Sequence, residues 1–181
     1  MPSPASDHAL AEGDLRRRRD RLADYLDAWG DLRVDDLGSG GRLRLLQFAL
    51  EAPGESLPIE VKAVYREYYR RRRDGDWVIV KYTYEYLDLS RMTRLAYHLH
   101  DLGTRRRVPH AHCDAATKSP LDEDAHHFRA VELDLREAHE EFMRLWASDT
   151  EPDCRTLRPL EIQRTLQDPL RPTARTSREG P

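Results

Sequence analysis

Apolar residues recur three and four positions apart near the N-terminus of the chain. This spacing places side chains on one side of a helix and predicts an amphipathic α-helix of about four turns from Asp14 to Trp29. Its apolar positions are Leu15, Leu22, Tyr25, Leu26 and Trp29. The run from Arg16 to Arg19 falls on the first turns, where positive charge opposes the helix dipole. We interpret this run as a solvated face, with nucleic-acid contact as the alternative.

From Gly38 onward the apolar period changes to two, which is typical of β-strands. Breaks rich in glycine, proline and aspartate separate three β-prone segments: Leu43–Leu50, Ile59–Tyr69 and Trp77–Leu87. In the third segment, residues of one parity predict one strand face: Val78, Val80, Tyr82, Tyr84 and Tyr86. Leu95, Tyr97 and Leu99 alternate in the same way. These segments together predict a β-meander.

The C-terminal part of the pattern predicts a strand that leads into a helix. Val131 and Leu133 alternate as in a strand, and Asp134 and Glu137 have the spacing of a capping box. The apolar stripe that follows is helical: Leu135, Ala138, Phe142, Leu145 and Trp146. The sequence therefore predicts an α+β fold. We expect a mostly antiparallel sheet of about five or six strands, with an N-terminal helix and a C-terminal helix packed on the sheet.

Length and composition limit the number of domains. A chain of 181 residues predicts a single domain with a substantial core, which we place at residues 13–166. The charged fraction of 35% and the mean hydropathy of −0.82 are high for a compact domain. We therefore predict disordered tails at residues 1–12 and at the Pro- and Arg-rich residues 167–181.

The net charge of −3 hides an uneven distribution along the chain. The segment from Lys62 to His112 holds twelve Lys or Arg residues and six Asp or Glu residues. Such a basic segment attracts anions, and RNA is a candidate partner. A solvated arginine-rich surface explains the same composition equally well.

Cysteine content and hydropathy exclude some classes of protein. Cys113 and Cys154 are too few for a disulfide framework. No apolar run approaches the roughly 20 residues of a membrane span, and the N-terminus lacks the apolar core of a signal peptide. We expect a cytoplasmic protein of bacterial type that does not associate with membranes.

The histidines are concentrated in one part of the chain. Seven of the eight lie between His98 and His139. They include two H-x-H pairs and one adjacent pair: His98 and His100, His110 and His112, His126 and His127. Imidazole titrates near neutrality and is the commonest metal ligand. This cluster is the clearest indication of chemistry in the sequence.

Sheet geometry predicts where the two H-x-H pairs lie. Residues two apart share a strand face, and opposed residues of an antiparallel pair have a constant number sum. If His100 lies opposite His110, then His98 lies opposite His112, and all four imidazoles converge on one face. The loop between the strands would carry Arg105, Arg106 and Arg107 over the rim of that face.

Three interpretations of the cluster follow. In metal-independent phosphodiester cleavage, the four H-x-H histidines would transfer protons while cationic or aromatic residues contact the substrate. Those substrate-binding candidates are Arg94, Arg105, Arg106, Arg107 and Tyr84. In a divalent-metal site, the candidate ligands are His98, His100, His110, His112, His126, His127 and Cys113. In the third interpretation the histidines are solvated and have no function. The expected cofactor is accordingly none or a divalent metal ion.

A function of a different class is also compatible with the sequence. A sheet rich in Arg and Tyr could form a non-catalytic binding or assembly module for nucleic acid or protein, with a homodimer as one form. Core packing is the ordinary role of such tyrosines.

The order of motifs resembles that of a known family. A strand ending in Tyr84-Glu85-Tyr86, the pair His98 and His100, the run Pro109-His110-Ala111-His112 and a His-His pair before a closing helix are similar to small TumE-like toxins of bacterial toxin–antitoxin loci. The resemblance covers roughly residues 64–146. It implies a compact α+β domain, a ribonuclease-like activity centred on the histidines, and a cognate antitoxin-like partner. In this chain the histidines are split as H-x-H, whereas the family often has a contiguous His-His run.

Overall fold

A computed structural model of the chain describes residues 9–51, 61–88, 93–101, 107–115, 126–129 and 132–146. These residues form two helices and seven strands. In chain order the elements are α1 (Glu12–Asp27), β1 (Asp31–Ser39), β2 (Leu43–Glu51), β3 (Val61–Arg71), β4 (Trp77–Asp88), β5 (Thr93–Asp101), β6 (Arg107–Ala115), β7 (His126–Arg129) and α2 (Leu135–Trp146). The strands form one sheet in sequential order, and each neighbouring pair is antiparallel.

The predicted α+β fold with an antiparallel meander and two packed helices is confirmed. The sheet has seven strands within the described residues, where the sequence predicts about five or six. The additional strand is β1, which follows α1 after a short turn and pairs along its whole length with β2. Apolar alternation does not predict β1, because a strand at the sheet edge is only partly buried and many of its residues are charged. The last strand ends at Arg129, so Leu133 lies in the connection to α2 rather than in a strand.

Both helices pack on the same face of the sheet. Leu15, Leu22 and Leu26 of α1 are buried there, as are Leu135 and Phe142 of α2. The sheet contributes mainly tyrosines to this core, and Phe142 contacts three of them: Tyr65, Tyr86 and Tyr97. Aromatic pairs add about 0.5–1.5 kcal/mol each to the burial of their area. The tyrosine-rich strands are therefore the hydrophobic face of the sheet.

A β-bulge corrects the face predicted for the first half of β4. Tyr68 pairs with Lys81 and Tyr69 pairs with Ile79, so Val80 is an extra residue in β4. A bulge of one residue reverses the alternation of side chains on either side of it. Ile79 therefore packs against the core together with Tyr82, whereas the sequence pattern wrongly assigns Val78 and Val80 to that face.

Both predicted helices form, and the first has slightly different ends. The first helix spans Glu12–Asp27 rather than Asp14–Trp29. In α2, the Glu137 backbone N–H donates to Asp134 Oδ1 at 2.9 Å, and the Asp134 backbone N–H donates to Glu137 Oε2 at 2.8 Å. This reciprocal pair confirms the capping box.

The structure does not describe most residues of the two predicted tails. Residues 1–8 and 167–181 lie outside the described residues. Leu10, within the predicted N-terminal tail, exchanges two backbone hydrogen bonds of 2.8 Å with Trp77. Glu12 accepts a hydrogen bond from Trp77 Nε1 at 2.8 Å. Leu10 and Glu12 are therefore both held against the start of β4. In the described part of the chain, neither helix has the length and apolar character needed to cross a membrane.

A buried ionic network fastens α1 to the sheet. Glu67 is fully buried, and Arg18 donates to both of its oxygens, from Nη2 at 2.6 Å and from Nε at 3.0 Å. The hydroxyls of Tyr69 and Tyr84 donate to the same carboxylate. Burial raises the pKa of Glu67, but Arg18 and the two hydroxyls outweigh it and hold the pKa below its ordinary value. Arg18 thus anchors α1, whereas the run from Arg16 to Arg19 is predicted to be a solvated face.

Substitution of neighbouring arginines in α1 tests this network. We expect Arg18→Ala to lower the free energy of unfolding by about 3–5 kcal/mol, because it leaves a buried carboxylate without its cation. The matched change Arg17→Ala removes only an exposed ion pair with Asp14 and should cost less than about 1 kcal/mol. Urea denaturation measures both values. Equal effects of the two changes would contradict a structural role for Arg18.

His139 of α2 is buried beneath aromatic residues. Its ring contacts Tyr25, Trp29 and Tyr65, and its Nδ1 shares a 2.7 Å hydrogen bond with the Tyr65 hydroxyl. Burial lowers the pKa of His139 to about 4. The side chain is therefore uncharged in the folded protein at neutral pH and has a role in packing.

This low pKa predicts a loss of stability in acid. The unfolded chain binds a proton at His139 near the ordinary pKa of about 6.5, whereas the folded chain does so only near pH 4. The contribution of neutral His139 is complete above pH 6.5 and falls by up to about 1.4 kcal/mol per pH unit as the pH drops toward 4. Unfolding free energies at pH 7 and pH 5 should differ less in His139→Phe than in the unsubstituted protein. An unchanged pH dependence would contradict burial of an uncharged His139.

Candidate functional site

Four histidines from two paired strands gather on the face of the sheet opposite the helices. We call this the histidine face; it includes His98 and His100 of β5 and His110 and His112 of β6. The ring of His98 lies 5.4 Å from that of His110 and 4.6 Å from that of His112. The His110 and His112 rings are 4.9 Å apart, and the ring of His100 is 5.0 Å from that of His110. The predicted convergence of the four imidazoles on one face is present in the structure.

The strand register differs from the predicted one by two residues. His98 lies opposite His110, Ala96 lies opposite His112, and His100 lies opposite Val108. The predicted pairs of His100 with His110 and of His98 with His112 are therefore wrong. A shift of two residues keeps every side chain on its face, whereas a shift of one would have moved the set to the core side. As a result His98 contacts both histidines of β6.

The four histidines differ in exposure. His98, His110 and His112 are buried, with 3–8% of their surface exposed, while His100 is only partly buried. His100 is also the one nearest the hairpin that joins β5 to β6, where Asp101 pairs with Arg107. Burial, then His98 and Lys81, lowers the pKa of His100. The cluster is thus most accessible at its His100 end.

A chain of polar side chains crosses the histidine face toward the cluster. Gln47 Nε2 donates to Asp35 at 2.9 Å, and Arg66 Nε donates to Gln47 Oε1 at 2.7 Å. Arg66 Nη1 donates to Glu85 Oε2 at 3.2 Å, and Arg94 Nη2 donates to Glu85 Oε1 at 2.9 Å. The chain links five strands from β1 to β5. It fixes Glu85 between two cations beside the histidines.

Glu85 connects this polar chain to the cluster. Its Oε1 lies 3.7 Å from His98 Nε2, which is longer than a hydrogen bond but within the range of an ion pair. His98 and Arg94 together lower the pKa of Glu85 to about 2, against the opposing effect of burial. The carboxylate therefore carries its negative charge at every physiological pH. It places a fixed negative charge beside the His98 ring.

The remaining predicted site residues have different positions. Arg94 is buried on the histidine face, where it pairs with Glu85. Tyr84 lies on the helix side, where its hydroxyl donates to Glu67, so it belongs to the core and not to the cluster. Arg105 and Arg106 lie outside the described residues. Four candidates are described only through their backbone pairing: Arg107 opposite Asp101, His127 opposite His112, and His126 opposite Cys113.

Three neighbours of the cluster are absent from the sequence-predicted site: Thr83, Glu85 and Ala96. Thr83 lies opposite His98, and Ala96 lies between Glu85 on β4 and His112 on β6. The small side chain of Ala96 leaves room for the imidazoles beside it. Parity identifies Thr83 and Glu85 as residues of this face, because they alternate with the core tyrosines of β4.

Comparison with protein-family models, curated proteins and solved structures finds no match for this chain.

The groups of the cluster define the chemistry available to it. Neutral imidazoles accept protons or bind metal ions, and protonated ones donate protons. His98, His110 and His112 form a group of potential metal ligands among the described residues. The imidazoles of this site can therefore either transfer protons or bind a metal ion.

Adjacent residues of β5 provide a test of the two faces. Leu99 is fully buried in the core and His100 lies on the opposite face. We expect Leu99→Ala to lower the free energy of unfolding by about 2–5 kcal/mol, because it leaves a core cavity. His100→Ala should change it by less than about 1 kcal/mol. Chemical denaturation of both variants measures the difference, and a reversed order would overturn the face assignment.

Proposed function

We propose that the histidine face is the active site of a ribonuclease-like protein that cleaves phosphodiester bonds in RNA. The observation that carries the proposal is the convergence of four imidazoles on one sheet face, with neighbouring ring centres 4.6–5.7 Å apart. Catalysis by proton transfer requires at least two groups that titrate near neutrality within reach of one substrate. At this spacing the four imidazoles place several proton-transfer groups within reach of one substrate.

RNA carries its own nucleophile, which makes acid–base catalysis sufficient. One imidazole accepts the proton of the ribose 2′-hydroxyl as its oxygen attacks phosphorus. A protonated imidazole then donates a proton to the departing 5′-oxygen as the bond from phosphorus to that oxygen breaks. The products are a 2′,3′-cyclic phosphate and a free 5′-hydroxyl. Paired acid and base groups of this kind contribute about 10²–10⁴-fold each to a rate.

The accessible end of the cluster favours His100 as the group that meets the substrate. His100 is the least buried of the four and lies nearest the hairpin between β5 and β6. The segment from Lys62 to His112 has an excess of basic residues, which attracts a polyanion. On sequence grounds, Arg105, Arg106 and Arg107 belong to the proposed phosphate contacts.

The resemblance to TumE-like toxins extends the proposal to a biological role. It suggests a toxin that acts on RNA in the bacterial cytoplasm and is neutralised by a cognate antitoxin-like protein. The split H-x-H arrangement is the departure that this extension must accommodate.

Cleavage of RNA by the purified protein tests the proposal. We expect the unsubstituted protein to cleave single-stranded RNA and His100→Ala to cleave it at least about 100-fold more slowly, because a proton-transfer group is lost. The quadruple change of His98, His100, His110 and His112 to Ala should abolish cleavage. Mass spectrometry of the products should detect 2′,3′-cyclic phosphate ends.

Two matched controls accompany this experiment. Arg33→Ala removes an exposed side chain from the edge strand β1 and should leave cleavage unchanged. Changing Arg105, Arg106 and Arg107 together to Ala should weaken RNA binding and reduce its salt dependence, whereas the same change at Arg16, Arg17 and Arg21 of α1 should not. Cleavage that survives the quadruple histidine change would refute the proposal. If the unsubstituted protein and the quadruple histidine variant both bind RNA and neither cleaves it, the result would instead favour a binding module.

A further inference from the structure

We infer that His98, His110 and His112 together bind one divalent transition-metal ion such as Zn²⁺. The three residues come from the paired strands β5 and β6. Two of them form an H-x-H pair on one face, and the third lies directly opposite the first member of that pair. Their nearest potential ligand nitrogens all lie within 4.8 Å of one another.

The spacing of the rings fits a common ion. Zn–N bonds are about 2.0–2.1 Å long and an imidazole nitrogen lies about 1.1 Å from its ring centre, so three rings around a tetrahedral ion have centres roughly 5 Å apart. The observed distances between ring centres are 4.6, 4.9 and 5.4 Å. Tetrahedral ligand nitrogens lie about 3.3 Å apart, so small side-chain rotations would complete the site.

The chemical environment favours a metal site over three unrelated buried histidines. All three imidazoles are buried, and the Nε2 of His98 lies 3.7 Å from the Glu85 carboxylate. A set of three imidazoles favours Zn²⁺, Co²⁺, Ni²⁺ or Cu²⁺ over Mg²⁺ and Ca²⁺, which prefer oxygen ligands.

His100 belongs to the same face but not to this triad. It lies opposite Val108, its ring is 5.7 Å from that of His98, and it is outside the group of close ligand atoms. It is therefore a natural control, since it matches the ligands in residue type, strand and face.

Glu85 is suited to a supporting role as a positioning residue. Its carboxylate lies beside His98 Nε2 and is itself held by Arg66 and Arg94. Metal-binding histidines commonly donate their second ring N–H to a carboxylate, which fixes the ring and strengthens the ligand. Loss of such a partner typically weakens metal binding by 10–100-fold.

An ion bound by three protein ligands keeps a further position for water or a phosphate oxygen. As an account of catalysis this inference rests on the proposed function and changes it in one respect: an ion held by three of the imidazoles would act as a Lewis acid on the same phosphodiester and leave His100 as the proton-transfer group. The binding of the ion itself is measured separately from cleavage.

The test uses the full chain, freed of metal with a chelator and then titrated with Zn²⁺ or Co²⁺. We expect one ion per chain by elemental analysis after desalting, and a visible Co²⁺ absorption typical of four-coordinate sites. Excess Zn²⁺ should raise the melting temperature, because binding at about 100 times the dissociation constant stabilises the fold by about 2.7 kcal/mol. This measurement on the unsubstituted protein does not depend on any variant.

Variants then assign the ligands. His98→Asn, His110→Asn and His112→Asn should each weaken Zn²⁺ binding at least about 100-fold, Glu85→Gln should weaken it about 10–100-fold, and His100→Ala should still bind one ion per chain. Circular dichroism confirms that each variant is folded.

The outcomes separate the two proposals. Less than about 0.1 Zn²⁺ per chain with no change in melting temperature would overturn the metal inference, and so would equal losses of binding in His100→Ala and His110→Asn. RNA cleavage that persists in excess chelator, with no bound ion, would overturn the catalytic role of the ion and leave the proposed function standing. One tightly bound ion without any RNA cleavage would support the metal inference and refute the proposed function.

Discussion

Side chains alternate strictly between the two faces of a β-sheet, and the alternation along β4, β5 and β6 determines both the core and the histidine cluster. Tyr97 and Leu99 pack under the helices, while His98 and His100 lie on the other side of the same strand. A slip of one residue would bury the imidazoles among the core tyrosines and expose the tyrosines. Burial of the alternating apolar side chains in the core therefore determines where the histidines lie, although no histidine of the cluster contributes to that core.

Charge supports the two faces in different ways. On the helix side, Glu67 and Arg18 form a buried pair completed by tyrosine hydroxyls, so that α1 is held at one position on the sheet. On the histidine face, hydrogen bonds connect Asp35 through Gln47 and Arg66 to Glu85. This second network is open to partial solvation, and its energetic value per pair is small. Its consequence is orientation, because it delivers a fixed negative charge to the side of His98.

Periodicity was sufficient to predict most of the fold and the composition of the histidine face. The capping box of α2 and the shared face of the two H-x-H pairs depend only on local spacing, so both could be derived from the sequence. The register of β5 with β6 could not, because parity fixes the face of each side chain but does not distinguish registers that differ by two residues. The bulge at Val80 likewise reflects packing between strands, and it reverses a parity that sequence alone presents as continuous. The role of Arg18 could not be predicted, because nothing in a run of arginines indicates which one pairs with a buried carboxylate.

Three buried imidazoles are an inefficient way to stabilise a sheet. Ala96 occupies an equivalent position on β5 and shows that a small apolar side chain fits this face. Valine or alanine at His98 would avoid the burial of a polar ring, at no loss to the tyrosine core on the other side. Local departures from the most stable choice are typical of functional sites, where stability and activity compete. The histidine cluster is such a departure, since the core on the other face of the sheet does not require histidines at these positions.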